Sequence, residues 1–231
     1  GGGTSTAAAL LALAAAGRGT PTLLVDADEG LGTLPLLLGV RPRGTLGMLR
    51  GGATEPRDLL VPLGDTLDLL PGGAGDPGAP PLAPAERRAL FRRVAALYGG
   101  YGLVVVDGGS RLDSVLAACS AGAGRLLAVA TPERIALAGA YALLKAVHER
   151  VPGLAVEVLL NEADETGVRE GFEHLRTAAG LFLDRAVELA GALPSDSSLR
   201  AGVGAGMPLQ DAAAASPTAL AADRVAARLL R

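Results

Sequence analysis

Short apolar runs alternate with longer stretches of helical periodicity along this chain. The apolar runs have the length of buried strands, and we predict strands at Thr22–Val25, Leu67–Leu70, Leu103–Val106, Arg125–Ala130, Ala155–Leu160 and Ala186–Ala192. Helices are predicted at Thr6–Ala16, Ala85–Leu97, Asp113–Ala121, Glu133–Arg150 and Thr166–Leu183, with a last helix that starts at Pro217 after Ser216. This alternation predicts an α/β fold, a three-layer αβα domain with a mostly parallel sheet.

Polar side chains follow several of the predicted strands. They are Asp26, Asp28, Asp107, Thr131, Asn161 and Asp196. In parallel α/β sheets, ligands bind beyond the carboxyl ends of the strands. The pattern therefore predicts one ligand site where these residues converge.

Composition narrows the class of protein. The chain has 231 residues, 49% of them hydrophobic and 3% aromatic, which suits one domain over residues 1–231 with a core of Leu, Ala and Val. The net charge of −3 argues against a general nucleic-acid binder. Cys119, the one cysteine, excludes an internal disulfide and is expected to be a small core residue. No apolar run has the length of a membrane span and no signal peptide is visible, so we expect a cytoplasmic protein.

The chain begins with Gly1, Gly2 and Gly3, followed by Thr4, Ser5 and Thr6 at the start of a helix. Glycines allow backbone N–H groups to turn toward an anion, and a helix N-terminus adds a favourable dipole. Ser5 or Thr6 would place a hydroxyl on a magnesium ion. The alternative is a frayed chain end, which is common for glycine-rich termini.

Two acidic strand ends extend this pattern. Asp107 follows an apolar strand and precedes Gly108-Gly109, as a magnesium-water acceptor would, although a turn or helix-cap aspartate fits equally well. The segment Asp26-Ala27-Asp28-Glu29-Gly30 ends an earlier strand, and a solvated turn is its alternative. Ser5 precedes Asp26 by 21 residues, the length of one helix, a turn and a strand.

With this spacing the chain resembles the MinD/ParA family of deviant P-loop ATPases, especially its FlhG (YlxH-type) branch. The resemblance covers essentially the whole chain. Its motifs are Leu24–Leu31, Leu37–Arg43 with Thr45-Leu46, Leu69–Gly73, Tyr101–Asp107, Thr131–Glu133, Ala140–Lys145, Asn161, and Gly191–Asp196, which includes Pro194.

The resemblance implies a fold, ligands and partners. ATP or ADP would bind with Mg²⁺. The residues at the phosphates would be Gly1, Gly2, Gly3, Thr4, Ser5 and Thr6. Ser5, Asp26 and Asp107 would surround the metal, and Asn161 and Pro194 would lie near the base. Asp28 and Asp26 would be the catalytic residues, with Asp28 orienting water. The implied protein is a nucleotide-dependent homodimer that positions flagella, the division site or the chromosome through a protein partner of that machinery. A peripheral location at the inner membrane face would fit.

The chain also departs from the family. The 21-residue spacing puts Thr4 in the position of the phosphate-loop lysine, which neutralises charge on the β- and γ-phosphates. Losing such a group typically costs on the order of 10²–10³ in rate, so weak or lost hydrolysis is predicted. The start of the domain, including its first strand and the family's signature lysine, is expected upstream of residue 1.

Three alternatives stay open. A non-hydrolysing interaction scaffold would carry a vestigial nucleotide site. An iron–sulfur carrier would need more than one cysteine. A DNA binder could use Arg87, Arg88, Arg92 and Arg93, although a solvated helix face is favoured for these residues, and packing on the domain is favoured for the last helix over membrane binding.

Overall fold

A computed structural model describes residues 2–28, 32–73, 80–109 and 111–231. The strands are β1 Thr22–Asp26, β2 Val61–Pro62, β3 Leu67–Leu70, β4 Leu103–Asp107, β5 Arg125–Ala130, β6 Ala155–Asn161 and β7 Glu188–Leu193. The helices are α1 Thr4–Gly17, α2 Leu34–Leu37, α3 Pro84–Ala95, α4 Leu112–Ser120, α5 Arg134–Arg150, α6 Glu165–Leu183, α7 Ser197–Gly204, α8 Leu209–Ala212 and α9 Pro217–Leu229. Short 3₁₀ helices occupy Leu46–Gly51, Pro56–Leu59 and Tyr98–Gly100.

The strands form two sheets, with strand orders β2-β3-β1-β4 and β5-β6-β7. Every neighbouring pair is parallel except β2 and β3. The predicted α/β fold with mostly parallel strand pairing is confirmed. Among the described residues the strands divide into two sheets, because β4 and β5 do not pair with each other.

Helices cover both faces of the strands. In β1, Leu23, Leu24 and Val25 are fully buried. Leu24 packs into a core cluster with α1 and α9, while Leu23 and Val25 pack with α3, including Phe91. A strand covered on both faces is apolar along its central positions, which is why Leu23 to Val25 form a continuous aliphatic run rather than an alternating pattern.

The predicted element boundaries agree with the structure to within about two residues. The first helix begins at Thr4 rather than Thr6, directly after the glycines. Ser216 caps the last helix as predicted, because its hydroxyl accepts hydrogen bonds from the N–H groups of Thr218 and Ala219. The pattern missed β2, α2, α7 and α8, which are too short to show a period.

The predicted arginine face on α3 is wrong in part. Arg87 is buried, donates to the carbonyl of Leu82 and lies 3.9 Å from Asp113. Arg93 donates to the carbonyls of Leu49 and Thr54. Of the four arginines, Arg88 and Arg92 are the exposed pair. The helix amphipathicity suggested a solvated face, but two guanidinium groups instead satisfy loop carbonyls.

The last helix packs on the domain, as predicted. Helix α9 buries Ala222, Val225 and Ala226 against α1 and β7. Arg18 at the end of α1 forms a two-armed ion pair with Asp223 at 2.8 Å. Cys119 is buried, as expected. Among the described helices, none combines the length and hydropathy that crossing a bilayer requires.

Candidate functional site

The glycine loop leads directly into the N-terminus of α1. Gly3 is the N-cap residue, with φ of 74°, a conformation that favours glycine. No side chain caps the helix and no acidic residue lies in its first turn. The first-turn N–H groups therefore have no intrahelical acceptor, which makes this end of α1 a place where an anion is stabilised. Gly1 lies outside the described residues.

Asn161, at the end of β6, holds this loop. Its side-chain Nδ2 donates to the carbonyl of Gly2 at 3.0 Å. A Cβ atom on Gly3 would lie 2.2 Å from the same nitrogen, so no larger residue fits there without movement. The sequence predicted Asn161 to lie near a nucleotide base, and the structure adds its contact with the glycine loop.

Asp26 and Asp107 are neighbours at the carboxyl edge of the first sheet. They lie opposite each other in the parallel register of β1 and β4, and both are buried. Adjacent strands lie roughly 4.8 Å apart, so the two carboxylates share one small region. The convergence predicted from the sequence is found for this pair.

Asp26 is held by backbone donors. Its Oδ1 accepts the N–H of Asp28 at 3.0 Å and its Oδ2 accepts the N–H of Leu34 at 3.1 Å. Burial nevertheless raises the pKa of Asp26 to about 6, with the charges of Asp107 and Asp28 acting in the same direction against the two backbone hydrogen bonds. A nearby cation would reverse this balance and favour the charged carboxylate.

Asp107 keeps one oxygen without a partner. Its Oδ1 accepts the N–H of Gly109 at 3.0 Å, whereas its buried Oδ2 has no hydrogen-bond partner. Leaving a buried carboxylate oxygen unpaired is costly, so this atom fits a ligand or its bound water. The described residues contain no group of three or more His, Cys, Asp or Glu side chains that could hold an ion. A magnesium ion here would therefore take much of its coordination from hydroxyl, phosphate and water oxygens, as Mg²⁺ commonly does.

Asp28 and Ser5 line the same cavity as the glycine loop. Thr33 joins them, because its Oγ1 lies 3.4 Å from the Ser5 hydroxyl. The sequence predicted no role for Thr33, since a lone threonine after a predicted turn carries no periodic or motif signal. Glu29 and Gly30, part of the predicted acidic motif, lie outside the described residues.

Gly72 and Gly73, just after β3, contact the segment from Asp26 to Asp28. The N–H of Gly73 donates to the carbonyl of Asp28 at 2.7 Å. A Cβ atom on Gly72 would lie 2.6 Å from Oδ1 of Asp26 and 2.8 Å from the carbonyl oxygen of Asp28. In the sequence, these glycines were part of a strand-end motif and had no predicted role of their own. The structure shows why glycine is needed: the backbone packs directly against a carboxylate.

A cavity of about 700 Å³ runs from the glycine loop along α5. Gly2, Gly3, Thr4, Ser5 and Thr6 form one end, near Asp28 and Gly109. Its described lining includes no lysine or arginine. An anionic ligand there would rely on backbone N–H groups, hydroxyls and a cation.

A second cavity of about 160 Å³ adjoins the first and shares Gly3 and Thr6 with it. Asn161 and Pro194 line it, together with Asp196 and Arg200. Asp196 caps α7 by accepting the N–H of Leu199 and also accepts the Ser216 hydroxyl, and these hydrogen bonds lower its pKa. The two residues predicted to lie near a nucleotide base thus line one small cavity beside the glycine loop.

Comparisons with known proteins agree with this fold. No family model matches the chain. The antiactivator FleN of Pseudomonas aeruginosa is 29% identical over 222 residues, which cover 95% of this chain and 79% of FleN. The septum site-determining protein MinD of Pyrococcus horikoshii, solved with Mg-ADP, superposes with a TM-score of 0.78 at 24% identity, over 99% of this chain and 91% of MinD. A ParA family ATPase from Chlorobium tepidum gives 0.77 at 21% identity, over 98% and 94%.

These comparisons confirm the predicted fold and resemblance. The chain has the fold of the MinD and ParA P-loop ATPases, and its sequence is similar to FleN over nearly its whole length. One of these neighbours carries nucleotide and magnesium in its crystal structure.

Proposed function

We propose that this chain binds ATP with Mg²⁺ at the carboxyl edge of its first sheet and acts as a nucleotide-dependent regulator of where a cell-surface structure or the division site is placed. The observation that carries the proposal is the unpaired, buried Oδ2 of Asp107 beside Asp26, close to a helix N-terminus that lacks a cap. The unpaired carboxylate oxygen would accommodate a cation, and the helix N-terminus would accommodate an anion.

The roles follow from position. Backbone N–H groups from Gly2 to Thr6 would hold the phosphates at the α1 N-terminus. Ser5, Asp26 and Asp107 would hold the magnesium ion and its water, and the ion would neutralise phosphate charge. Asp28, which lines the cavity near Ser5, would orient an attacking water. The small cavity at Asn161 and Pro194 would take the base.

Thr4 would affect the rate of ATP hydrolysis rather than whether nucleotide binds. It begins α1, and the spacing to Asp26 would put it where the resembling family has its phosphate-loop lysine. A cavity whose described lining includes no basic side chain supports slow hydrolysis, since charge on the phosphates would be met only by backbone dipoles and the metal. A vestigial site is not supported. Asn161 holds the glycine loop, Gly72 packs closely against Asp26, and Asp107 has a buried oxygen that is available to a ligand.

The positioning role rests on the relatives. FleN is named an antiactivator, and MinD is named a septum site-determining protein. For this chain we propose a homodimer that forms on nucleotide binding and then contacts a protein of the flagellar or division machinery. Contact with a membrane surface and with nonspecific DNA are lesser candidates, the latter because α3 leaves Arg88 and Arg92 as its exposed arginines.

Sedimentation velocity tests the proposal. Four samples are compared: the protein alone, the protein with ADP and Mg²⁺, the protein with ATP and Mg²⁺, and the protein with ATP, Mg²⁺ and EDTA. A dimer that appears with ATP and Mg²⁺ and disappears with EDTA supports the proposal. A fluorescent fusion then reports whether the protein concentrates at a pole or the mid-cell. A protein whose mass never responds to nucleotide, and which spreads evenly through the cell, would contradict it.

A further inference from the structure

An ion pair borders the open side of the small cavity at Asn161 and Pro194. Nη2 of Arg200, on α7, lies 3.0 Å from Oε2 of Glu162, the residue that follows β6. Both side chains line this cavity and both are exposed, whereas its other described lining residues are buried or partly buried. The pair therefore joins the end of β6 to α7 where the cavity opens to solvent.

Glu162 has a left-handed backbone conformation, with φ of 54°. The residues on both sides of it are fixed. Asn161 donates its side-chain Nδ2 to the carbonyl of Gly2, and the N–H of Ala163 donates to the carbonyl of Leu193. Glycine adopts such a φ freely, whereas a residue with a Cβ atom is strained there. A strained residue beside a ligand cavity indicates a use for its side chain.

Folding stability does not account for the ion pair. The side chains of Arg200 and Glu162 are 63% and 48% exposed, and exposed pairs add little to stability because water and salt screen them. Holding a long arginine side chain in one place instead reduces the conformational entropy that it would lose on contacting a ligand. The pair is therefore better suited to positioning Arg200 than to stabilising the fold.

Arg200 lies on the base side of the site rather than at the phosphates. It lines the small cavity with Asn161 and Pro194, and the described lining of the larger cavity at the glycine loop does not include it. Among the described residues that line the small cavity, Arg200 is the one cation. A planar guanidinium group stacks on flat rings, nucleobases included, whereas the ammonium group of lysine is a point charge.

We infer that the guanidinium group of Arg200 stacks on the base of the bound nucleotide and that Glu162 holds it there. The inference rests on the proposed function, because it takes the small cavity as the place of the base. Glu162 is then a positioning residue that acts through Arg200. Asp196, the other carboxylate in the described lining, already accepts the N–H of Leu199 and the hydroxyl of Ser216, which leaves Glu162 to hold the guanidinium group.

Calorimetric titration with Mg²⁺ tests Arg200 with two ligands: ATP, and inorganic tripolyphosphate, which carries phosphates without a base. Arg200→Ala is expected to weaken ATP binding roughly 2- to 30-fold, the range of cation–π contacts, and to leave tripolyphosphate binding unchanged. Arg200→Lys keeps the charge but not the planar group, so it is expected to weaken ATP binding nearly as much. Arg176→Ala is the matched control, because Arg176 forms a similarly exposed ion pair with Glu173 and lines neither cavity.

Glu162→Gly separates a positioning role from a structural one. Glycine fits a φ of 54°, so the unfolding midpoint is expected to stay level or rise. ATP binding is nevertheless expected to weaken roughly 2- to 5-fold, because the side chain of Arg200 is no longer held. In the Arg200→Ala background the same substitution should change ATP affinity no further, since Glu162 acts through Arg200. A loss of affinity that persists in that background would remove the positioning role.

Three results would overturn the inference and leave the proposed function in place. They are unchanged ATP affinity in Arg200→Ala, recovered affinity in Arg200→Lys, and equal losses for ATP and tripolyphosphate, which would show that the arginine acts on the phosphates. If tripolyphosphate binds too weakly to measure, the lysine variant decides by itself. An unsubstituted protein that does not bind ATP with Mg²⁺ would overturn the proposed function and the inference together.

Discussion

Asp26 and Asp107 lie opposite each other on β1 and β4, yet their oxygens are satisfied differently. Both oxygens of Asp26 accept backbone N–H groups, whereas Asp107 keeps a buried Oδ2 with no hydrogen-bond partner. The pair therefore consists of a carboxylate fixed by the backbone and one with an oxygen available to a ligand. A buried carboxylate oxygen without a partner is suited to a metal ion or to water bound to it.

The first prediction concerns the pH dependence of stability without metal. Burial raises the pKa of Asp26 from 3.8 to about 6, so the folded state favours the protonated carboxyl. Its stabilising contribution is complete below pH 3.8 and is lost as the pH rises through about 6. Compared with Asp26→Asn, the unsubstituted protein is expected to lose about 3 kcal/mol of unfolding free energy across that window, in urea denaturation with EDTA. A difference between the two proteins that stays constant from pH 4 to pH 7 would contradict the assignment.

The second prediction tests the contact between β3 and the acidic loop. Gly72→Ala would put a Cβ 2.6 Å from Oδ1 of Asp26, and neither the strand end nor the loop backbone can move without breaking hydrogen bonds. We expect roughly 1–3 kcal/mol of destabilisation and weaker Mg-nucleotide binding. Gly180→Ala in α6 is the matched control, because nothing lies within 4 Å of its added Cβ, and it should leave stability unchanged or slightly higher. Equal effects of the two substitutions would count against the contact.

The third prediction concerns the first residue of α1. If Thr4 occupies the place of a phosphate-loop lysine, Thr4→Lys should raise the ATP hydrolysis rate on the order of 10²–10³-fold. The measurement is single-turnover hydrolysis with Mg²⁺, which separates chemistry from product release. Thr4→Met, of similar length without charge, is the control and should not raise the rate. An unsubstituted protein that already turns over as fast as Thr4→Lys would show that the lysine position has been misassigned.

The fourth prediction separates two neighbouring arginines on α3. Arg87 is buried and donates to the Leu82 carbonyl, while Arg88 is exposed. Arg87→Ala is expected to lower the unfolding free energy by roughly 1–3 kcal/mol, since it leaves a buried carbonyl without its donor, whereas Arg88→Ala should change it by less than about 0.5 kcal/mol. Denaturant unfolding of both variants checks this. Similar losses would indicate that the guanidinium of Arg87 contributes little.

The sequence predicted the strands closely because they are buried on both faces. Residues Leu23 to Val25 form an unbroken aliphatic run, and a run of that length bounded by turns has few other structures. The convergence of the glycine loop and the acidic strand ends was also predictable, since spacing along the chain and the geometry of parallel strands bring them to one edge.

Tertiary contacts account for what the sequence could not show. The division into two sheets depends on which strands become neighbours, and the apolar run of β4 is identical whether its edge is paired or not. Arg87 looked like a surface residue because its burial depends on a loop carbonyl at Leu82. Gly72 and Thr33 join the site through close contacts with Asp26 and Ser5, which lie far from them along the chain.

The most direct test of the account is calorimetric titration of ATP into the protein with and without Mg²⁺, in the unsubstituted protein and in Asp107→Asn. Asp113→Asn, an exposed aspartate on α4, is the matched control. We predict Mg²⁺-dependent binding in the unsubstituted protein and in Asp113→Asn, and loss of the Mg²⁺ dependence in Asp107→Asn. Absence of ATP binding with Mg²⁺, or an unchanged Mg²⁺ dependence in Asp107→Asn, would contradict the proposed site.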